Sequence, residues 1–188
     1  MSQRLYKVTL DPAVPDQWNP GVPTNASGEE VDRWLFVGGA PLPDLGPLTI
    51  PAGAPSRPVD MTFNAWRMWV VTARIGALLE RLAPQDVQRI PAILEGHGEG
   101  YEILNVVTTL DCIDHQRTVG TRWTPDDGRP DKVGQYRMVI ELHLDASRVE
   151  GTRIFFPVGW TAALVVTEDI HDALVAADAM GPMFRDVS

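Results

Sequence analysis

The segment from residue 90 to residue 115, IPAILEGHGEGYEILNVVTTLDCIDH, constrains the fold of this chain more than any other segment does. Two apolar runs, Val87–Leu94 and Tyr101–Leu110, have the length and the β-branched content of strands. The glycines of Gly96–Gly100 lie between them and suit the positive φ angles of a tight turn. The segment therefore predicts a β-hairpin followed by a short polar cluster.

Two helices are predicted, and each follows a short apolar strand that ends in a threonine. A strand ending at Val71 precedes the helix Ala73–Leu82, and a strand ending at Val166 precedes the helix Glu168–Ala179. Each helix carries its apolar residues on one face, and each threonine is placed as an N-cap. Two explanations remain open for this repetition. Either two related strand–helix–strand units share one sheet, or a generic arrangement arose twice, which the common residue types favour.

The clearest remaining strand is Gln135–Leu144, because its apolar and polar residues alternate. One face is predicted to carry Met138, Ile140, Leu142 and Leu144, and the other to carry Val139, Glu141, His143 and Asp145. Shorter strands are predicted at Leu5–Leu10, Arg153–Pro157, Ala163–Val166 and Met183–Val187.

The first sixty residues are irregular and rich in proline and glycine. Asp11–Ser27 and Gly38–Pro58 are predicted to be long loops, and Val31–Val37 is too short to distinguish a strand from a helical turn. We therefore predict an irregular region with one strand at 1–60 and an α+β region at 61–188, packed as one unit. The predicted class is α+β, with a mostly antiparallel sheet and two helices packed on one face.

The net charge of −9 limits the classes of partner. Nucleic-acid binding needs a cluster of Lys and Arg along the sequence, and this chain has none, while an anionic membrane surface would repel it. A basic protein partner would be attracted, although acidity also simply keeps a protein soluble. We therefore expect a protein partner rather than nucleic acid or membrane.

Cysteine content and the N-terminus together predict a cytoplasmic protein. Cys112 is the only cysteine, so no intrachain disulfide can form, which favours a reducing compartment. The N-terminal sequence MSQRLYKVTLD has no apolar core of a secretory signal, and no window approaches the roughly 20 apolar residues of a membrane span.

The polar cluster Asp111–His115 contains the residue types that a metal site or a nucleophilic site would use. Five contiguous residues do not make either site, and no CxxC or HExxH spacing supports them. The simpler interpretation is that Cys112 is a small buried residue and that Asp111 and Asp114 cap a turn. We therefore predict no catalytic residue, no bound metal and no cofactor.

The six tryptophans fall into two groups. Trp18 and Trp123 lie in polar loops and Trp66 lies near one, where tryptophan is typical of protein interfaces. Asp126 and Asp127 follow Trp123, and an aromatic ring flanked by acids would suit a basic partner, or would fold back over its own domain. The other three have apolar neighbours and are predicted to be core residues: Trp34, Trp69 and Trp160.

Several short motifs between residues 70 and 184 are similar to those of one known family. They are Val70–Thr72, Leu82–Pro84, Val87–Pro91, Tyr101–Val106, Asp111–Asp114, Ile154–Phe155, Val165–Thr167 and the Gly-x-x-Phe of Gly181 and Phe184. On these motifs the chain resembles a myxobacterial-type immunity protein family of bacterial polymorphic toxin systems, first described as a domain of unknown function. The motifs are structural rather than reactive.

The resemblance implies a cytosolic protein that binds a cognate toxin and neutralises it by steric occlusion. We expect the toxin to contact the Trp123 loop and the polar strand face with Glu141 and His143, with Trp18, Asp126 and Asp127 as further candidates. Two other functions remain open. One is a small enzyme that uses Cys112, Asp114 and His115, and the other is a scaffold or regulatory module.

Overall fold

The computed structural model describes residues 3–53 and 57–188. Over these ranges the chain forms two helices and twelve strands, which confirms the predicted α+β class. The helices are α1 at Ala73–Leu82 and α2 at Glu168–Ala176. The first six strands are β1 at Leu5–Leu10, β2 at Leu48–Ile50, β3 at Met61–Phe63, β4 at Trp69–Thr72, β5 at Val87–Leu94 and β6 at Gly98–Val106. The last six are β7 at Thr109–Leu110, β8 at Val119–Arg122, β9 at Tyr136–Glu141, β10 at Ile154–Pro157, β11 at Leu164–Thr167 and β12 at Pro182–Asp186.

The strands divide over two five-stranded sheets and one two-stranded ribbon. The first sheet has the order β12-β1-β11-β10-β7, the second has the order β2-β5-β6-β4-β3, and β8 pairs with β9. Most neighbours are antiparallel, as predicted, but β7 with β10 and β2 with β5 are parallel pairs. The predicted strand Tyr101–Leu110 is split into β6 and β7, because β7 leaves the second sheet to pair with β10.

The two strand–threonine–helix repeats occupy equivalent places in different sheets, which excludes the alternative in which both units share one sheet. In the second sheet the chain runs β3, β4, α1, β5, and β6 inserts between β4 and β5. In the first sheet it runs β10, β11, α2, β12, and β1 inserts between β11 and β12. The connectivity therefore repeats, except that the middle strand of the first sheet comes from the start of the chain.

The central core is shared by both sheets and both helices. Helix α1 contributes Ile75 and Leu79, and α2 contributes Ile170 and Leu174. These side chains pack with one face of each sheet, so the central core holds the two sheets together by apolar burial. The residues contributed by the sheets include Val8, Phe156 and Val166 from the first and Val71, Leu104 and Val106 from the second.

Two further apolar clusters cover the other faces of the sheets. On the first sheet, Leu5 and Phe155 pack against Ile113 and Leu144 of the segment that carries the ribbon. On the second sheet, the N-terminal region contributes its own apolar residues, among them Phe36 and Leu48. The Pro-rich region is therefore packed on the second sheet. Its predicted loop Gly38–Pro58 contains β2, and Val31–Val37 resolves into a short 3-10 helix at Arg33–Val37.

Two carboxylates join the sheets at their ends. Asp86, only 5% exposed, precedes β5 of the second sheet and accepts hydrogen bonds from the backbone N–H groups of Arg153 (2.7 Å) and Ile154 (3.2 Å), where β10 of the first sheet begins. Asp60 precedes β3, accepts from the N–H of Met180 (3.0 Å) and pairs with Arg74 of α1 at 2.9 Å. Each carboxylate precedes a strand of the second sheet and accepts hydrogen bonds from backbone N–H groups at or next to a strand of the first sheet.

The predicted threonine caps are correct in position but not in bonding. Thr72 and Thr167 are the N-cap residues of α1 and α2, and neither side chain accepts a hydrogen bond from a helix N–H group. The hydroxyl of Thr72 donates instead to Asp60 at 3.0 Å, and that of Thr167 donates to Asp169. The hydroxyl groups therefore serve tertiary or side-chain contacts in place of the helix ends.

The predicted apolar face of the Gln135–Leu144 strand is wrong for Met138 and Ile140, whereas Leu142 and Leu144 are buried as predicted. Met138 is 49% exposed and Ile140 is 66% exposed, whereas Val139 packs against the core. The pairing of β9 with β8 shifts register twice, which leaves Arg137 and Ile140 as bulged residues. Neither strand of the ribbon belongs to a larger sheet, and Val119 of β8 is exposed like Met138 and Ile140 of β9.

The glycine of the Gly-x-x-Phe motif provides a test of this architecture. Gly181 has a φ of +111°, and a Cβ added there would lie 2.3 Å from the carbonyl oxygen of Met61. The contact would involve the backbone of β3 and the backbone just before β12. Neither backbone segment can move away without disturbing its own sheet. We expect Gly181→Ala to lower the free energy of unfolding by about 3 kcal/mol or more.

Gly128 is a matched control, because its φ is +68° but nothing lies within 4 Å of an added Cβ. Gly128→Ala should therefore cost only about 1 kcal/mol, which is the conformational strain alone. Urea denaturation of both variants checks the comparison. Equal losses of stability would contradict the close contact between Gly181 and Met61.

Candidate partner-binding surface

Trp18, the first residue predicted to contact a partner, is buried. Its side chain is 2% exposed and belongs to the apolar cluster beneath the N-terminal region. Its ring meets Tyr101 edge-on, with 5.4 Å between centroids, and its carbonyl oxygen accepts a hydrogen bond from Thr62. The structure does not offer this indole to a partner, contrary to the expectation from its polar loop, because that loop folds onto the second sheet.

Trp123 and its acidic neighbours form a small ordered unit at one end of the ribbon. The guanidinium of Arg137 lies 5.0 Å from the ring centroid of Trp123 and pairs with Asp127 at 2.8 Å. Hydrogen bonds from the backbone and the hydroxyl of Thr124, and then the charge of Arg137, hold the pKa of Asp127 below its ordinary value. Asp126 is exposed beside it. The acids of this loop are therefore partly committed to its own structure.

Glu141 and His143 lie at the opposite end of the ribbon. The Oε1 atom of Glu141 is 3.3 Å from the Nε2 atom of His143, so the two residues pair with each other. Trp123 pairs with Gln135 just before β9, and Glu141 lies six positions further along the chain, up to about 20 Å away when extended. The predicted site residues therefore do not form one continuous patch.

The structure brings together a different set, which we call the tryptophan surface: Trp34, Trp66, Arg67, Trp123 and Trp160 with Thr161 and Ala162 between them. Trp34 and Trp66 line one pocket of about 210 Å³, and Trp123 and Trp160 line another of about 210 Å³. Thr161 and Ala162 line both pockets, so the two are adjacent. Four of the six tryptophans of the chain therefore meet on one surface.

Trp34 is the largest departure from the sequence analysis at this surface. It was predicted to be a core residue, but it is 64% exposed. Asp32 caps the short 3-10 helix by accepting a hydrogen bond from the N–H of Trp34 at 3.0 Å, and the buried residue of that helix is Phe36. The prediction for Trp69 is confirmed by its burial, and Trp160 is half-buried against the core.

A buried asparagine positions the turn that carries Trp66 and Arg67. The side-chain oxygen of Asn64 accepts hydrogen bonds from the N–H groups of Trp66 (3.0 Å) and Met68 (3.1 Å). The ring of Trp66 is covered by the guanidinium of Arg33, 4.6 Å from its centroid. These contacts fix the indole, which reduces the entropy that a partner would otherwise have to remove.

Arg67 adopts a strained backbone conformation on this surface. Its φ is +65°, in the left-handed region that disfavours residues with a Cβ. Its guanidinium donates a hydrogen bond to the carbonyl oxygen of Ala162 at 2.5 Å and lies 5.7 Å from the ring of Phe63. Arg67 therefore connects the turn before β4 to the turn between β10 and β11.

The Cys112 cluster does not form a reactive site. Cys112 is fully buried, and burial raises the pKa of its thiol from the ordinary 9.0 to about 12, so the thiol is neutral at pH 7. Asp114 accepts hydrogen bonds from the N–H groups of Gln116 and Arg117, as expected of a turn cap. In the ranges that the structure describes, no group of three or more His, Cys, Asp or Glu side chains could hold a metal ion.

A pocket of about 630 Å³ lies beside the N-terminus of α1 and is lined by apolar residues together with Asp44, Tyr101 and Glu102. The carboxylate of Glu102 is held by Arg89 through bonds of 2.7 and 2.6 Å. Both carboxylate oxygens are thus committed to a structural ion pair. The carboxylate of Asp44 accepts a hydrogen bond from the backbone N–H of Gly46 at 2.8 Å, so each of the two acids that line this pocket takes part in a local structural contact.

The raised pKa of Cys112 predicts its chemical reactivity. A shift of about three pKa units lowers the thiolate fraction about a thousandfold at mildly alkaline pH, and burial also blocks access. We expect the native protein to resist alkylation by iodoacetamide, as measured by intact mass. The same protein in denaturant should react at the rate of a free thiol. Fast labelling of the native protein would contradict the burial.

In the ranges described, no helix is long and apolar enough to cross a membrane.

Comparisons with known proteins bear on the family resemblance found in the sequence. No curated protein matches the chain. The family described as "Immunity protein family (Imm11)" matches residues 49–188, which is more than half of the 188 residues and confirms the resemblance. The chain belongs to this immunity protein family.

Proposed function

We propose that this protein confers immunity by binding a cognate protein toxin in the cytoplasm and covering the toxin's active surface, without catalysis. Membership of an immunity protein family is the observation that carries the proposal. The net charge of −9 favours a protein partner over nucleic acid or an anionic membrane. A single cysteine fits a reducing compartment.

The buried Cys112 supports a non-catalytic mechanism. Its neutral thiol lacks the activated partner that a nucleophile needs, and the nearby His115 bonds to the hydroxyl of Tyr136 at 3.2 Å instead. Occlusion requires only a surface of standard size, about 800 Å² on each partner, with a few buried anchors. The accessible area of 9693 Å² provides ample room for such a surface.

The test is a titration of the purified toxin, taken as the product of a neighbouring gene, with this protein. We expect the toxin to kill cells when it is expressed alone and to be harmless when both proteins are expressed together. Inhibition of the toxin in vitro should become complete at one equivalent of this protein, and the mass of the toxin should stay unchanged. Inactivation by a small fraction of an equivalent, or a changed toxin mass, would indicate an enzyme.

Cys112→Ala separates the two mechanisms further. If the protein acts by occlusion, the variant should protect cells as well as the wild type, because Cys112 is buried and lies away from the solvent-facing surface. A loss of protection without a loss of folding, checked by circular dichroism, would favour the enzyme that uses Cys112, Asp114 and His115.

A further inference from the structure

We propose that the toxin docks on the tryptophan surface and presents acidic side chains to a basic patch beside it, formed by Lys7, Arg67 and Arg185. This inference rests on the proposed function and specifies the contact surface and its charge. The net charge of −9 favours a basic partner as a whole. The local charge at this surface has the opposite sign, so the contact patch of the partner is acidic.

The apolar part of the surface has the composition of an interface hot spot. Trp34 is 64% exposed, far more than a large aromatic side chain that serves only the fold. Trp66 and Trp123 lie under the guanidinium groups of Arg33 and Arg137. Tryptophan and arginine are the residues most enriched among binding hot spots. The indole N–H of Trp160 is buried without a hydrogen-bond partner, and Trp160 lines the pocket beside Trp123.

The basic patch is built from three cations that the fold brings together. Lys7 on β1 lies directly opposite Arg185 on β12 in the antiparallel pair. Arg67, in the turn between β3 and β4, is held on the same side by its hydrogen bond to Ala162, which lies three residues before the Val165 that pairs with Lys7. The pKa of the Lys7 ammonium is lowered, first by burial and then by the positive charges of Arg67 and Arg185. Like charges in directly opposed strand positions destabilise a sheet, so this arrangement opposes folding.

Arg67 adds a second unfavourable contribution to folding at the basic patch. Its φ of +65° is strained for any residue other than glycine, and partial desolvation lowers the pKa of its guanidinium. Residues in strained backbone conformations cluster at ligand clamps and switch regions. An acidic side chain of a partner would neutralise Arg67 and relieve its repulsion of Lys7.

The neighbouring cations show which charges remain available. Arg137 pairs with Asp127 at 2.8 Å, and Arg33 lies 3.9 Å from Glu30, so both are partly neutralised within the chain. Among the described residues, Arg67 and Lys132 have no acidic partner within 4.0 Å. None of the described residues that line the two tryptophan pockets is acidic. The unpaired positive charge therefore lies where the indoles are exposed.

Two variants separate binding from folding, because each removes a cation whose repulsion of Lys7 opposes folding. In Arg67→Gly, relief of this repulsion and of the strained φ offsets the loss of the hydrogen bond to Ala162. Arg67→Gly removes the charge and the strained φ together, and Arg185→Gln removes one of the opposed charges. We expect both variants to have an unchanged or raised Tm and to bind the toxin on the order of tenfold more weakly. Trp34→Ala should weaken binding by a similar factor or more. Affinity is measured by biolayer interferometry with purified toxin.

Matched controls lie outside the surface. Arg81→Gln removes the same charge from an exposed position of α1, and Val175→Ala truncates an apolar side chain that is exposed on α2. Both should bind like the wild type. Raising the salt concentration should weaken the wild-type complex by about tenfold, since exposed charge pairs are screened, and should affect Arg67→Gly less.

The outcomes of this experiment are distinct. If the wild type binds the toxin but Arg67→Gly and Trp34→Ala bind equally well, the surface is wrong and the proposed function stands. Weaker binding by Glu141→Ala or His143→Ala alone would place the interface at the other end of the ribbon and overturn the inference. Binding that is insensitive to salt would overturn the acidic contact patch.

Arg67-dependent binding of an oligonucleotide would assign the patch to nucleic acid instead. A wild type that binds no toxin contradicts the proposed function itself.

Discussion

The attachment of β10 to Asp86 fixes where the two sheets meet at one end of the central core that holds them together. A buried carboxylate before β5 accepts two N–H groups where β10 begins, together with the hydroxyl of Thr108 at 3.1 Å. Hydrogen bonds to a charged group contribute about 1.5–3 kcal/mol each. Because β10 leads into the turn that carries Trp160, Thr161 and Ala162, the same contact fixes the centre of the tryptophan surface.

Local features of the fold could be predicted from the sequence, and pairings between distant segments could not. The β5 and β1 strands and α1 begin and end at the predicted residues, since each depends on a periodic pattern and on nearby proline or glycine. The insertion of β1 between β11 and β12 depends on contacts between the two ends of the chain, which no local pattern records. β2 was missed because three residues in a proline-rich stretch carry no period.

At the candidate site too, only part could be predicted from the sequence. The polarity of neighbouring residues in the sequence gave the wrong burial for two tryptophans. Trp18 lies in a polar loop and is buried, whereas Trp34 has apolar neighbours and is exposed. The difference arises because a 3-10 helix places Phe36 inward and Trp34 outward, and because the loop of Trp18 is drawn onto the second sheet. Trp66 and Trp123 are both near polar loops in the sequence and lie on the surface. The sequence therefore identified two of the four tryptophans of the tryptophan surface.

A basic patch on an acidic protein affects selectivity as well as affinity. Acidic proteins in the cell are repelled by the net charge of −9 before they reach the patch, and basic proteins are attracted to the chain but are repelled where Lys7, Arg67 and Arg185 converge. Only a partner that presents acids opposite this patch, and apolar side chains opposite the indoles, satisfies both parts of the surface. On the proposed docking surface, charges that oppose folding would exclude the wrong partners at a cost in stability.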